Sequence, residues 1–215
     1  MEIVDPNGEV ILDFRYENSW FPPTDGGGRT LVVRSANPNY TTYHAATHWA
    51  ISGNVNGSPG AADADFAHHY NGWRWDHFTE SEIYLPTPPN AVRTENTALV
   101  GFSADIDGDG LTSFGEYAFC RDPKVADNSS VSTASVMNVG GTDYLAITFQ
   151  RRHKALDLTY IVEVSSDLAP NGWVSTTQQV GSANDLGSGV EQVTFRDTIA
   201  VGTSRRFIRV RAVKL

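Results

Sequence analysis

A single cysteine, Cys120, stands in a chain of 215 residues, so no intrachain disulfide can form. It lies in the apolar run Tyr117-Ala-Phe-Cys120 and reads as a small core residue rather than a nucleophile. No stretch approaches the roughly 18 apolar residues of a membrane span. Met1 is followed directly by Glu-Ile-Val-Asp, without the charged-then-apolar layout of a signal peptide. Catalytic fingerprints are missing as well. There is no Gly-x-Ser-x-Gly elbow, phosphate loop or dinucleotide motif. Ser58 sits in a Gly-Ser-Pro-Gly turn, so spacing supports no Ser-His-Asp triad. Positive charge is scarce: 16 Lys and Arg face 25 Asp and Glu, a formal net charge of −9. Nucleic acid and anionic membranes should repel such a chain, and neither is expected as a partner. The basic residues gather in Arg151-Arg152-His153-Lys154 and in Arg205-Arg206, Arg209 and Arg211. The alternate spacing of the second set reads as one solvated strand face.

What is present is a twelve-residue loop, Asp105-Ile-Asp107-Gly-Asp109-Gly110-Leu111-Thr-Ser113-Phe-Gly-Glu116. Hard cations such as Ca²⁺ take six to eight oxygens, and carboxylates at positions 1, 3 and 5 of a tight loop converge on one point. Gly110 fills position 6, where the backbone must turn sharply. Leu111 at position 7 would offer its carbonyl, Ser113 at position 9 would act through water, and Glu116 at position 12 would bind with both oxygens. The metal ligands expected are therefore Asp105, Asp107, Asp109, Leu111, Ser113 and Glu116, with Ca²⁺ as the cofactor. The alternative is an Asp/Gly-rich turn without an ion, against which four crowded carboxylates would repel one another. Ser113 and Glu116 also fit a capping box, so part of the Glu116 signal could be helix capping. The residues before Asp105, Leu99-Val-Gly-Phe-Ser-Ala, read as extended, which favours a dockerin-like or lone loop over a paired EF-hand.

Either side of this loop the pattern is mainly β. Val10, Leu12, Phe14 and Tyr16 alternate with polar residues over 8–17, a half-buried strand with the apolar set inward. Thr30–Arg34 forms a second strand. From Val131 onward Tyr144–Gln150, Thr159–Ser165, Gln192–Arg196 and Arg206–Val213 are strands, separated by turns at Gly140-Gly141, Pro170-Asn-Gly172 and Gly187-Ser-Gly189. Thr79-Glu-Ser-Glu82 is a capping box that starts a short helix, and Pro86, Pro88 and Pro89 end it.

The set Phe14-x-Tyr16, Trp20, Asp25-Gly-Gly-Gly28-x-x-Leu31, Trp49-x-x-Ser52 and Gly57-Ser-Pro-Gly60 resembles the C-terminal half of a bacterial lamin-tail domain. That resemblance implies an immunoglobulin-like β-sandwich whose first strands have no counterpart here. A half-sandwich leaves an unpaired edge, to be covered by the rest of the chain or by self-association with a second copy. Trp73–Phe78, Asp105–Gly110 and Glu116–Ala118 resemble the calcium segments of secreted bacterial proteins. Tyr160-x-Val162-Glu163-x-Ser165-Ser-Asp167-Leu168 with Trp173 resembles the small C-terminal β-sandwich that follows such segments, with Trp173 plugging one end of its core.

Histidines and aromatics supply the remaining candidates. His44 and His48 are four apart, but Asn37-Pro-Asn and Thr41-Thr42 do not read as a helix that would align them for zinc. His68, His69 and His77 with Asp63, Asp65 and Asp76 could form a second metal or acid–base site, or a polar loop around Trp73 and Trp75. Trp73, Trp75, Tyr70 and Tyr43 could stack on a carbohydrate, or simply fill a core.

The architecture expected is mainly β: two immunoglobulin-like units, the first truncated, joined by a short-helical calcium connector. The boundaries expected are 1–65, 66–123 and 124–215. The first functional reading is a calcium-binding accessory module, extracellular or at the cell surface in its parent protein, in which calcium fixes the packing of two β units. A metal-dependent hydrolase of phosphate or carboxylic esters, using His68, His69 or His77 for proton transfer, is the alternative. Carbohydrate binding is the third.

Overall fold

Strands carry most of the regular structure, as the β-rich sequence pattern predicts. In this computed structural model, which describes residues 2–34, 42–61, 66–86, 88, 91, 93–202 and 204–215, the protein is mainly β. The chain divides once, into Met1–Ala104 and Asp105–Leu215.

The first unit opens with a hairpin of β1 (Glu2–Val4) and β2 (Val10–Asp13). The strand expected over 8–17 is thus cut to its first half. Val10 and Ile11 are exposed, while Leu12, Phe14 and Tyr16 are half-buried. A three-stranded antiparallel sheet follows in the order β3 (Arg29–Val33), β4 (Trp49–Val55), β5 (Phe66–Ala67). Among the described residues the α-helices that follow are α1 (Tyr70–His77), α2 (Glu80–Ile83) and α3 (Thr97–Val100). Helix α1 was not legible as a helix among its clustered aromatics. It starts where the His69 ring Nδ1 accepts the Asn71 N–H (3.1 Å), and it buries Tyr70, Trp73 and Arg74 at i, i+3 and i+4. Helix α2 begins as expected, with the Glu82 carboxylate accepting the Thr79 N–H at 2.7 Å. Helix α3 corrects the extended reading of the approach to the calcium loop, because one helical turn closes at Gly101, whose N–H reaches the Thr97 carbonyl.

Aromatic rings fill this unit. Trp20, Phe21, Tyr43, Trp49, Tyr70, Trp73, Trp75 and Phe78 are all buried. The four side chains proposed to stack on sugars, Tyr43, Tyr70, Trp73 and Trp75, are at most 8% exposed. They are core residues because a sheet this small needs large rings to exclude water, and they present no open stacking face.

In the second unit a helix, α4 (Ser113–Phe119), precedes seven strands: β6 (Ser132–Val139), β7 (Thr142–Arg152), β8 (Leu158–Ser165), β9 (Thr177–Gln179), β10 (Asn184–Gly187), β11 (Val190–Ala200) and β12 (Phe207–Lys214). All pairing is antiparallel. One sheet runs β10-β11-β7-β6, with β9 also on β11, and the other pairs β12 with β8. Gly140-Gly141 turns β6 into β7, and Gly187, Ser188 and Gly189, all at positive φ, turn β10 into β11. Ile147, Phe149 and Val193 from the first sheet and Leu158, Val162 and Val164 from the second are buried.

The basic cluster on β12 is not simply solvated. Arg209 and Arg211 share one strand face and both reach the buried Glu163 carboxylate at 2.9 Å. Arg209 also lies 3.9 Å over the Trp173 ring, which is only half-buried. Arg206 makes a two-bond fork, 2.6 and 3.0 Å, to Asp197, which is wholly buried. These cations neutralise internal acids, which is why they alternate.

The boundaries expected at 65 and 123 become a single division at 104/105. Helices α1, α2 and α3 belong with the first unit, where the Tyr70 hydroxyl donates to the Val100 carbonyl. The acidic loop 105–116 and α4 belong with the second unit.

Candidate metal centre

The loop folds by hydrogen-bonding to itself. Asp105 accepts the Gly108 N–H at 2.9 Å on one carboxylate oxygen and the Gly110 N–H at 3.0 Å on the other. Asp107 accepts from Asp109 N–H (3.2 Å), and Asp109 accepts from Leu111 N–H (2.7 Å). Asp107 and Asp109 each close an Asx turn on the backbone two residues further along. Gly110 has φ +94°, a conformation that a side chain would strain. One oxygen from each of Asp105, Asp107 and Asp109 lies within 4.8 Å of the others. Among the described residues this is the group of metal-ligating side chains that converges.

Four buried oxygens around this triad have no hydrogen-bond partner: Asp107 Oδ2, Ser113 Oγ, and both Oε1 and Oε2 of Glu116. Glu116 is only 2% exposed. Burial pushes its carboxyl up to about 7, and the charges on Asp109 and then Asp107 push the same way. Glu116 is not part of the tight triad, yet it is electrostatically joined to it. Unpartnered buried carboxylate oxygens are costly, and a divalent cation is the group that would satisfy all of them together. The donors are oxygens only, which suits a hard cation and disfavours zinc or copper.

The capping-box alternative for Glu116 is overturned. Thr112, not Ser113, caps α4, its hydroxyl accepting the Gly115 N–H at 3.3 Å. Glu116 therefore falls one residue beyond the position from which a capping side chain reaches back, and its carboxylate makes no such bond. Ser113 buries its hydroxyl beside the loop instead of capping. The Leu111 side chain covers Gly115, where a Cβ would sit 2.5 Å from Leu111 Cδ1.

Helix α4 carries the site onto the sheets. Tyr117 and Ala118 are fully buried. The Tyr117 hydroxyl donates to Asp157 at 2.7 Å, Arg152 Nε donates to the Tyr117 carbonyl at 2.6 Å, and the Tyr160 hydroxyl donates to the Ala118 carbonyl. Phe119 meets Phe149 and Tyr160 edge-on. Cys120 ends the helix in the left-handed conformation, φ +60°. It is half-buried, and burial pushes its thiol up, the opposite of what a nucleophile needs.

Two contributors had no sequence signature. Asp127 N–H donates to Asp109 Oδ2 at 3.0 Å, and the Asp127 carboxylate pairs with Arg121. Together they tie the loop to the segment leading into β6.

The histidines are placed separately. His44 Nδ1 accepts the Arg15 N–H (3.1 Å), and His48 ends a short 3₁₀ turn, Ala46–His48, so the pair is not aligned along an α-helix. His69 caps α1, and the His77 ring lies 5.0 Å from that of Trp73. His68 is in a bridge position beside β5. Asp63 and Asp65 lie outside the described residues. A comparison with protein-family models, curated proteins and solved structures finds no match for this chain.

Proposed function

We propose that the protein is a calcium-binding accessory module without catalysis of its own, in which the ion locks loop 105–116 and helix α4 onto the sheets of the second unit. The carrying observation is Glu116, buried with both carboxylate oxygens unpartnered beside Asp107 and Asp109. Asp105, Asp107, Asp109, Glu116, Ser113 and the Leu111 carbonyl would hold the ion. When bound, calcium supplies positive charge that the local acids lack. The chain's own residues do the rest. Asp109 fixes the backbone at Asp127, Leu111 packs over Gly115, and Tyr117 anchors α4 to Asp157. Binding energy would then appear as folding energy. The setting proposed is extracellular or cell-surface, where millimolar calcium keeps even a weak site filled.

A calcium-dependent ester or phosphoester hydrolase is the competing reading. It depends on His68, His69 or His77 for proton transfer, and the contacts of His69 and His77 are those of a helix cap and a packed ring. Calorimetric titration of calcium into chelator-stripped protein, with a parallel thermal melt, tests the proposal. Saturable binding with a raised melting temperature is expected. No heat and no shift would overturn it. Ester or phosphoester turnover lost in Asp107→Ala, with the fold retained, would move the assignment to the hydrolase.

A further inference from the structure

The first unit carries a cleft of about 320 Å³ that the calcium reading leaves unused, a size within the range of small-molecule sites. Trp20, Trp75 and Phe78, all less than a tenth exposed, give it an apolar part of its lining. Its rim is charged. Glu17 stands between two guanidinium groups, one oxygen 3.8 Å from Arg15 Nε and the other 3.9 Å from Arg93 Nη1.

Those two separations decide the chemistry. They are close enough for charge attraction but too long for hydrogen bonds. Each gap therefore joins an acceptor to a donor without closing on itself. A hydroxyl group is both donor and acceptor, and it can bridge such a gap by donating to Glu17 and accepting from the arginine. Two gaps on one carboxylate ask for two neighbouring hydroxyls.

Net charge points the same way. Arg93 also pairs with Glu80, so the rim of Arg15, Glu17, Arg93 and Glu80 sums to zero and favours neither an anion nor a cation. His44, on the same rim, adds a donor. Its Nδ1 is occupied by the Arg15 N–H, which leaves the proton of the neutral ring on Nε2. A ligand with an apolar ring face and a polar edge of adjacent hydroxyls matches apolar lining and rim together.

We propose that this cleft binds a neutral saccharide, with two adjacent hydroxyls bridging Glu17 to Arg15 and to Arg93. The site is independent of calcium. It is also not the open aromatic platform that the sequence suggested, because these rings are largely buried and paired charges supply the specificity.

The test is tryptophan emission and calorimetry on the full chain with calcium present. The probes are glucose, galactose, N-acetylglucosamine and the β-1,4- and α-1,4-linked glucose disaccharides. At least one should bind in the micromolar to millimolar range and change the emission. Glu17→Gln and Arg15→Ala should each weaken it by about tenfold or more, the loss of one charge-assisted hydrogen bond. Arg15 is largely exposed, so its variant should melt with the wild type and keeps the test readable if Glu17→Gln unfolds. No binding by any probe overturns the proposal. So does binding that both variants leave unchanged, or a cleft that takes glucose 6-phosphate or succinate but no neutral sugar.

Discussion

Replacing Glu116 with Gln should stabilise the protein in chelator and destabilise it, relative to wild type, in calcium. Without an ion the Glu116 carboxyl is pushed from 4.5 to about 7, by burial first and by Asp109 and Asp107 next. At 1.36 kcal/mol per pH unit that difference is worth about 3 kcal/mol. The sign follows from proton counts. Below pH 4.5 the folded and unfolded chains both hold the proton, and there is no penalty. Between 4.5 and 7 the unfolded chain has lost it while the folded chain keeps it, so stability falls as pH rises. Above 7 the full loss of about 3 kcal/mol remains. Calcium-free wild type should therefore melt higher at pH 5 than at pH 7.5 as far as this group is concerned. Gln has the shape of the protonated acid and no charge to bury, so Glu116→Gln should recover most of that loss in chelator at pH 7.5. On the scale of small-domain melts this is roughly 10 °C. In calcium the order should reverse. Wild type gains about 4.1 kcal/mol when the ion is at a thousand times its dissociation constant, more than the loss of about 3 kcal/mol, and the variant, lacking the bidentate ligand, gains little. The assay is a set of four thermal melts, wild type and variant, each with calcium and with chelator. A variant less stable than wild type in both conditions would refute the reasoning, because Glu116 would then be an ordinary packing residue.

Arg206→Ala should cost about 3–5 kcal/mol in a urea melt, since it leaves the wholly buried Asp197 charge without its fork. Burial pushes Asp197 up, but its bonds to Arg206 and backbone N–H groups hold it below 3.8. The stability from this pair should be present at neutral pH and be lost in acid as pH falls through that depressed value. Gly110→Ala should lower calcium affinity measured by calorimetry and cost about 1–2 kcal/mol, from φ +94° alone, because a Cβ there meets nothing within 4 Å. Tyr117→Phe should lose about 1 kcal/mol by removing the hydroxyl bond to Asp157, with calcium affinity nearly unchanged if the helix stays docked.

The parts of this molecule that were legible are those written in local spacing. Runs rich in β-branched and aromatic residues bounded by turn residues, Tyr144–Gln150 and Thr159–Ser165, predicted β7 and β8. The clustering of Asp105, Asp107 and Asp109 was legible because that loop folds through bonds spanning two to five residues. Helix α1 was hidden, since its partners lie on elements distant in sequence and its aromatics fit a loop as well as a helix. The capping box at Ser113 failed by one residue, and that single step changes the meaning of Glu116. A capping carboxylate would already be satisfied by a backbone N–H, whereas one residue further along it is buried with nothing to bind. The sequence pattern alone leaves a calcium loop and an ion-free acidic turn both open. The register of α4 is what bears on that choice, because it buries Glu116 without a partner beside Asp107 and Asp109.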